Sequence, residues 1–343
     1  MSLPIAYDYA VMEALTAAKI PAGKEWQYEP KWDGFRCLAF RDGDEIELRS
    51  KSNQPLTRYF PELVAALREL KAKRFVLDGE ICIQRAGELS FDDLLMRIHP
   101  AESRIRKLAA ETPATYYCFD LLVDDHAKAL TEETLERRRA ALEKFAGDYF
   151  EGRVRLSPVT RDLAAAQRWL RTGGGPLDGV VAKRIDLPYK TGERAGMVKI
   201  KNLRSADCVI GGFRYGSGSK LVGSLLLGLY DHEGQLDHVG FCSGLKSAEK
   251  AALTKKLEAL IEPPGFTGRA PGGPSRWSTE RSVEWQPLRA ELVIEVQYDH
   301  FTGGRFRHGT RFMRWRPDKA PRQCSIDQVK AGASVGGVLS GAR

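Results

Sequence analysis

The chain repeatedly breaks apolar, strand-forming runs with an Asp-Gly step and ionic neighbours. The run from Phe75 to Ile83 has Leu77-Asp78-Gly79-Glu80-Ile81 at its centre, which sets two carboxylates inside a hydrophobic strand. Asp178-Gly179-Val180-Val181-Ala182-Lys183-Arg184 repeats the grammar, and Asp33-Gly34 stands within Glu29-Pro30-Lys31-Trp32-Asp33-Gly34-Phe35-Arg36. A carboxylate taken out of water is costly unless it is paired or binds something. A fold that accepts this pattern is strand-rich and gathers acids and lysines around a ligand. Taken singly, each Asp-Gly also reads as a tight turn among solvated charges.

The strand grammar continues between these points. Cys37-Leu38-Ala39-Phe40 and Glu45–Ser50 read as paired strands around Asp42-Gly43, and Thr115–Val123 reads as a strand carrying one acid, Asp120. Met197-Val198-Lys199-Ile200-Lys201 alternates with period two, so both lysines share a face. Helices are predicted over 8–18, from Pro61 through Leu70, from a Thr131 cap to about Phe145, and from an Asp162 cap to Gly173-Gly174-Gly175. After Lys201 the composition shifts. Short strands (Asp207–Phe213, Ser224–Tyr230, Gly240–Gly244, Glu291–Tyr298) surround one amphipathic helix, Ala248–Ile261, which suggests a small barrel of the OB type. The hinge is expected at 201–205.

With 343 residues the chain has room for two domains with real cores. The net charge is +8, and most of the surplus lies in 204–343, where 20 Lys/Arg stand against 14 Asp/Glu. Arg305, Arg307, Arg311, Arg314, Arg316, Lys319 and Arg322 are opposed there only by Asp318. That density suits a polyanion, either nucleic acid or a nucleotide's phosphates. The six cysteines are scattered, with no C-x-x-C pair, and read as isolated thiols in a reducing cytosol. Neither a membrane-length apolar run nor a signal-peptide pattern is present, so a cytosolic protein is expected. No G-x-x-x-x-G-K-[ST] loop is available to cradle phosphates.

Lys31 is the candidate nucleophile. A lysine amine, with a reference pKa of about 10.4, is almost wholly protonated at neutral pH and must lose that proton to attack phosphorus. Burial against Trp32 and Phe35, with Arg36 nearby, is the expected means. Gly34 is expected where the backbone turns close to a ligand. Lysines that neutralise phosphate, carboxylates that hold a divalent metal and one attacking group are the parts phosphoryl transfer needs.

The ordered set resembles a known family, the covalent nucleotidyltransferases: DNA ligases, RNA ligases and mRNA capping enzymes. Lys31 to Arg36 is similar to their K-x-D-G-x-R motif, and Ser50-Lys51 with Phe60-Pro61-Glu62-Leu63 to their second motif. Leu77–Glu80, Tyr117-Cys118-Phe119-Asp120, Asp178–Lys183 and Met197–Lys201 follow in the family's order, and Arg316-Pro317-Asp318-Lys319 is similar to the final R-x-D-K. The stretch Glu29–Arg36 and Leu225-Leu226-Leu227-Gly228 look most like bacterial ATP-dependent DNA ligases of the ligase C type and the ligase domain of ligase D.

This resemblance implies an α+β fold: a nucleotidyltransferase (adenylation) domain with antiparallel sheets and flanking helices over 1–203, an OB-fold β-barrel domain over 204–328 and a flexible tail over 329–343. It implies a lysyl-AMP on Lys31, formed from ATP with Mg2+ or Mn2+, then transfer of AMP to a DNA 5′-phosphate and sealing of the nick. Glu29 would accept from the adenine amino group and Phe119 would stack on the base. Arg36 and Glu80 would hold the ribose, and Glu80 and Asp178 the metal. Lys183, Lys199 and Lys201 would neutralise the α-phosphate, and Arg316, Asp318 and Lys319 would face the nucleotide and the leaving pyrophosphate. Lys51, Arg305, Arg307 and Arg311 would grip DNA. Nicked or broken duplex DNA is the implied substrate of a monomer working in repair or end joining, with Ku-like or polymerase proteins as the kind of partner implied. Two positions depart from the family pattern. Asp178 stands where Glu is usual, and Lys51 where Arg is usual, with loss of bidentate phosphate geometry; Arg49 or Arg58 would then substitute. An RNA ligase, a capping-type guanylyltransferase and a non-catalytic nucleic-acid-binding subunit are the rival readings; the intact Lys31, Asp33, Glu80 and Lys201 argue against the last.

Overall fold

The structure, a computed structural model, describes residues 2–85, 87–171, 177–272 and 284–329. The expected Gly173-Gly174-Gly175 helix stop and the tail beyond Val329 lie outside the described residues. The chain forms two compact units that divide between Asn202 and Leu203.

The first unit runs through β1 (Leu15–Thr16), β2 (Trp26–Trp32), β3 (Phe35–Asp42), β4 (Glu45–Ser50), α1 (Pro61–Glu69), β5 (Arg74–Cys82), β6 (Gln84–Arg85), β7 (Glu88–Leu89), α2 (Phe91–Arg97), α3 (Glu102–Glu111), β8 (Thr115–Val123), α4 (Leu135–Tyr149), β9 (Val154–Leu156), α5 (Leu163–Arg171), β10 (Leu177–Arg184) and β11 (Met197–Lys201). Two main sheets result, in the orders β1-β11-β10-β2 and β4-β3-β5-β8-β9. One face of the second sheet gives Ala39, Leu48, Leu77 and Ile81 to a core closed by Leu63 and Leu67 of α1 and Leu142 and Phe145 of α4. Its other face gives Leu38, Phe40, Val76 and Leu122 to a cluster with Met197 of β11, Tyr189 and the N-terminal Val11 and Met12. The first sheet turns Tyr28, Trp32, Val180 and Ala182 toward Ala166 and Trp169 of α5. Each fully buried large apolar side chain contributes roughly 1.5–3 kcal/mol. The first cluster seats the helices on the second sheet, and the other two join the sheets to each other, since Cys82 and Tyr117 of the second sheet also enter the last.

Local chemistry explains the elements. Pro61 opens α1 at a position that needs no N–H, and Asp162 caps α5 by accepting from the N–H groups of Ala164 (2.8 Å) and Ala165 (3.2 Å). The acid in β8 is paired: Asp120 takes a bidentate Arg138 from α4 at 2.8 and 3.0 Å, with both groups buried. Asp33-Gly34 is no hairpin, because β2 and β3 belong to different sheets. A Cβ on Gly34 would collide with the Ile81 carbonyl oxygen, so glycine is needed there for close approach to β5.

Three expectations change. Residues 8–18 form no helix: the N–H of Glu13 bonds Glu193 O (2.8 Å), the N–H of Ala17 bonds Lys199 O (3.0 Å), and β1 pairs parallel to β11. Tertiary partners take the backbone groups that a short helix would have used. The cap of α4 is Thr134 rather than Thr131, with Oγ1 accepting from the N–H of Arg137. The helix expected over 248–261 is a 3₁₀ turn, Ser247–Glu249, followed by α6 (Lys250–Glu258).

The second unit contains β12 (Arg204–Tyr215), β13 (Val222–Tyr230), β14 (Leu236–Cys242), α6, β15 (Gln286–Pro287), β16 (Val293–Tyr298), β17 (Phe301–Thr302), β18 (Arg305–Phe306) and β19 (Arg311–Trp315). The sheet order is β14-β13-β12-β16-β19, with β15 also on β12. A parallel bridge joins Cys242, at the end of one edge strand, to Thr310, just before the other. The sheet thus curls toward closure, as an OB-like barrel does. Its core includes Val209, Leu225, Leu227, Val239, Leu257 and Ile294. All six cysteines are buried free thiols.

Candidate active site

The site is built on rows across the first sheet. In register, Lys31 and Lys201 flank Gly179, Glu29 and Lys199 flank Val181, and Gln27 and Met197 flank Lys183. Side chains alternate along a strand, so these rows share the face away from α5. Successive rows stand two residues apart, about 7 Å along the strand. Opposite them, Arg36 of β3 pairs in register with Glu80 of β5. Glu29, Lys31, Arg36, Glu80, Phe119, Val181, Lys183 and Lys199 line a cavity of about 200 Å³.

Two β-bulges aim key side chains. Gly79 faces Cys118 while Asp78 faces Asp120, so Phe119 is the extra residue of β8. Leu177 faces Trp32 while Gly179 faces Lys31, so Asp178 is the extra residue of β10. A bulge re-aims the side chain it carries, and the Asp178 carboxylate meets the Lys31 ammonium. Gly179 makes that bulge possible. Its φ is +141°, and a Cβ there would overlap the Ile200 carbonyl oxygen.

The cavity has two ends. Around Glu29, Lys183 Nζ pairs with Oε2 at 2.7 Å and Gln27 Nε2 donates to Oε1 at 2.9 Å, all three side chains being buried. Lys183 Nζ also lies 4.4 Å from the centre of the Phe119 ring, and the Arg36 guanidinium 5.5 Å from it. Lys183 therefore sits with Glu29 and Phe119, four residues along β10 from the Lys31 row. Around Lys31 are Asp178, Lys201 in the same row and Lys199 in the adjoining one. Burial, and then the charges of Lys31, Lys51 and Lys201, hold the Lys199 amine below its usual range. Burial pushes Glu80 up to about 8, against the opposing pull of Lys31 and Arg36.

Arg36 is fixed by its neighbours. It donates to Asp78 at 3.1 and 2.7 Å and to Met12 O at 2.7 Å. Asp78 is fully buried and also accepts from Tyr189 Oη at 2.7 Å. Within the DGE triplet, then, Asp78 is satisfied inside the fold and Glu80 turns to the cavity. Trp32 and Phe35 do not fill the expected role of burying Lys31. Trp32 stacks on Tyr117 (4.1 Å between centroids), and Phe35 packs edge-on against Phe60 and Phe91. The nearest ionic partner of Lys31 is a carboxylate rather than Arg36.

Lys51 lines the same cavity, ion-paired with Glu13 at 3.2 Å. The suggested substitutes are engaged elsewhere, Arg49 with Glu47 and Arg58 with the Pro100 carbonyl. Among the described residues no cluster of three or more His, Cys, Asp or Glu could hold a metal by itself. Glu80 and Asp178 offer two carboxylates, which fits an ion carried mainly on phosphate oxygens rather than in an all-protein cage.

In the second unit, Arg316 and Lys319 both bond one carboxylate, Asp207, and Arg316 also bonds Asp318. The hydrogen bonds from Arg316 hold Asp318 down to about 2. Arg305 and Arg311 are exposed, on β18 and on edge strand β19, and Arg307 lies between them, half-buried. The sequence reading passed over Gln27, Tyr189 and Asp207. Asp207 carried a signal, as an acid leading an apolar strand; Tyr189, in a loop, carried none.

Residues 10–201 match the ATP dependent DNA ligase domain family, and residues 218–319 match the ATP dependent DNA ligase C terminal region. DNA ligase C of Mycobacterium tuberculosis (strain ATCC 25618 / H37Rv) is 43% identical over 98% of this chain and 97% of its own length. The multifunctional non-homologous end joining protein LigD of Mycobacterium bovis is 33% identical over 87% of this chain, which spans 37% of that protein. A solved structure from work on Lig E DNA ligases shares the fold, with a TM-score of 0.55 at 15% identity over 89% of this chain and all of that one. An adenylation domain followed by an OB-like domain is the architecture these matches define. The chain belongs to the ATP-dependent DNA ligases. That assignment sets aside the capping, RNA-ligase and non-catalytic readings.

Proposed function

We propose that this ligase seals breaks in duplex DNA during repair, by way of AMP carried on Lys31. The observation that carries the reading is the order of groups along one cavity: Glu29, Lys183 and Phe119 at one end and Lys31 with Asp178 at the other. The first end suits adenine. Its amino group donates to the Glu29 carboxylate, which would repel the O6 of guanine, and its ring stacks on Phe119. Lys183 orients Glu29 there through their ion pair, rather than meeting the α-phosphate as the family pattern implied. Arg36, braced by Asp78, holds the ribose.

At the other end the Lys31 Nζ lone pair attacks the α-phosphorus. The ammonium first gives one proton to Asp178 or water to free that lone pair; a P–N bond then forms, the P–O bond to pyrophosphate breaks, and a second Nζ proton leaves to water. Lys199 and Lys201 offset the charge on the phosphate. A DNA 5′-phosphate then takes AMP from Lys31, and the 3′-hydroxyl oxygen displaces AMP to close the backbone. Glu80 and Asp178 would hold Mg2+ or Mn2+ together with phosphate oxygens, and the ion supplies further charge neutralisation. Arg316, Asp318 and Lys319 meet the leaving pyrophosphate, and Lys51, Arg305, Arg307 and Arg311 meet DNA phosphates. The likeness to an end-joining protein supports a role in break repair, with separate Ku-like or polymerase proteins as partners.

Incubation with labelled ATP or GTP tests this. Covalent label that survives denaturation and alkali but is lost in acid, as a P–N bond is, should come from ATP only. Glu29→Gln should narrow the ATP preference, and label taken equally from GTP by the unaltered protein would overturn the adenine assignment.

A further inference from the structure

We propose that Asp207 is the positioning residue for the two cations of the R-x-D-K segment. The inference rests on the reading in which Arg316 and Lys319 act on the polyphosphate of ATP. Asp207 lies near the start of β12, 8% exposed. Its carboxylate accepts from Arg316 Nη1 at 2.8 and 2.9 Å and from Lys319 Nζ at 2.7 Å. Its main chain is pinned on both sides by one side chain: its N–H donates to Gln328 Oε1 at 3.0 Å, and Gln328 Nε2 donates to its carbonyl at 3.2 Å. The other edge of the Arg316 guanidinium is held by Asp318 at 2.8 Å, but that carboxylate is exposed.

Two like charges three residues apart repel one another, and both long side chains lose rotamer freedom when they are held in place. A carboxylate fixed in a sheet removes both obstacles. It offsets one of the two positive charges in the free protein and confines both heads to one place. Asp207, Arg316 and Lys319 all belong to the second unit, so this arrangement is a property of that unit alone. Preorganised cations accelerate a step in which charge develops on phosphate, because no reordering is needed when the step occurs. Asp207 therefore acts through Arg316 and Lys319, and only in the step that uses ATP.

The test separates that step from sealing. In the full chain, Asp207→Asn should slow single-turnover label transfer from ATP by on the order of tenfold. Sealing of a nick supplied with its 5′-phosphate already adenylated, without ATP, should stay within about twofold. Combining Asp207→Asn with Arg316→Ala should be little worse than Arg316→Ala alone, as residues of one network are non-additive. Asp207→Glu keeps the charge and displaces it. It should fold and show a smaller loss in the same step, so the claim stays testable if Asp207→Asn does not fold. Equal loss in both steps would mean a purely structural role and would overturn the proposal. So would wild-type labelling by Asp207→Asn while Arg316→Ala is impaired. Wild-type labelling by Arg316→Ala and Lys319→Ala would instead overturn the underlying reading of the R-x-D-K segment, and the proposal with it.

Discussion

At the scale of residues, the site is held by groups that touch no substrate in the proposed scheme. Tyr189 shows the logic. Its hydroxyl donates to Asp78, accepts from the N–H of Met12 at 3.1 Å, and so braces the carboxylate that aligns Arg36. Tyr189→Phe keeps the ring and deletes the buried hydrogen bonds with Asp78 and Met12, worth about 1 kcal/mol each. The KM for ATP in self-adenylation should rise several-fold with little change in kcat; a fall in kcat at constant KM would contradict this role. That Glu29, Lys31 and Lys199 gather around one site was legible in the sequence, because the motifs that hold them stand in order. The bulges at Phe119 and Asp178 were not, since they depend on which strand pairs with which. The ion pair of Lys183 with Glu29 was not legible for a related reason: the two lie far apart in sequence.

Among the elements, the junction of β3 with α1 ties the second sheet to its helical cover. Arg41 of β3 is fully buried and donates to the carbonyls of Leu67 and Leu70, each at 2.6 Å, and of Arg68 at 2.9 Å. These carbonyls at the end of α1 have no partner within the helix. Arg41→Met would bury them unsatisfied, at a cost of about 2–4 kcal/mol. Chemical denaturation should show the midpoint falling with the slope unchanged, and a midpoint at the wild-type value would show that water can replace the guanidinium. β8, an apolar run with one acid, and β11, with period-two alternation, were readable in advance. The segment 8–18 was not. Its alanine content favours helix locally, but its N–H groups are used by residues 193 and 199, partners that only the fold supplies.

For the whole molecule, the two units differ in how they should respond to pH. In the second, burial and then the charges of Arg214 and Arg269 push His238 down to about 4, and its Nε2 has no hydrogen-bond partner among the described residues. An unfolded histidine titrates near 6.5, so below that pH the unfolded chain binds the extra proton. Stability from this group is complete above about pH 6.5 and is lost as pH falls toward 4, by up to about 3 kcal/mol. Melting curves should drop over that window, and less so in His238→Gln; equal slopes would show that other groups dominate. Among the described residues no helix is long and apolar enough to cross a membrane. The family was legible because its motifs recur in order along most of the chain. The internal clamp on Arg316 and Lys319 was not, because Asp207 lies 109 residues before Arg316. The central claim is that Lys31 carries AMP. Incubation with ATP and a divalent metal, followed by peptide mapping, tests it most directly. The account predicts a phosphoramidate-linked AMP on Lys31 alone, absent from Lys31→Ala, and released when an adenylatable nick is added. An adduct on Lys199 or Lys201, or one retained in Lys31→Ala, would contradict it.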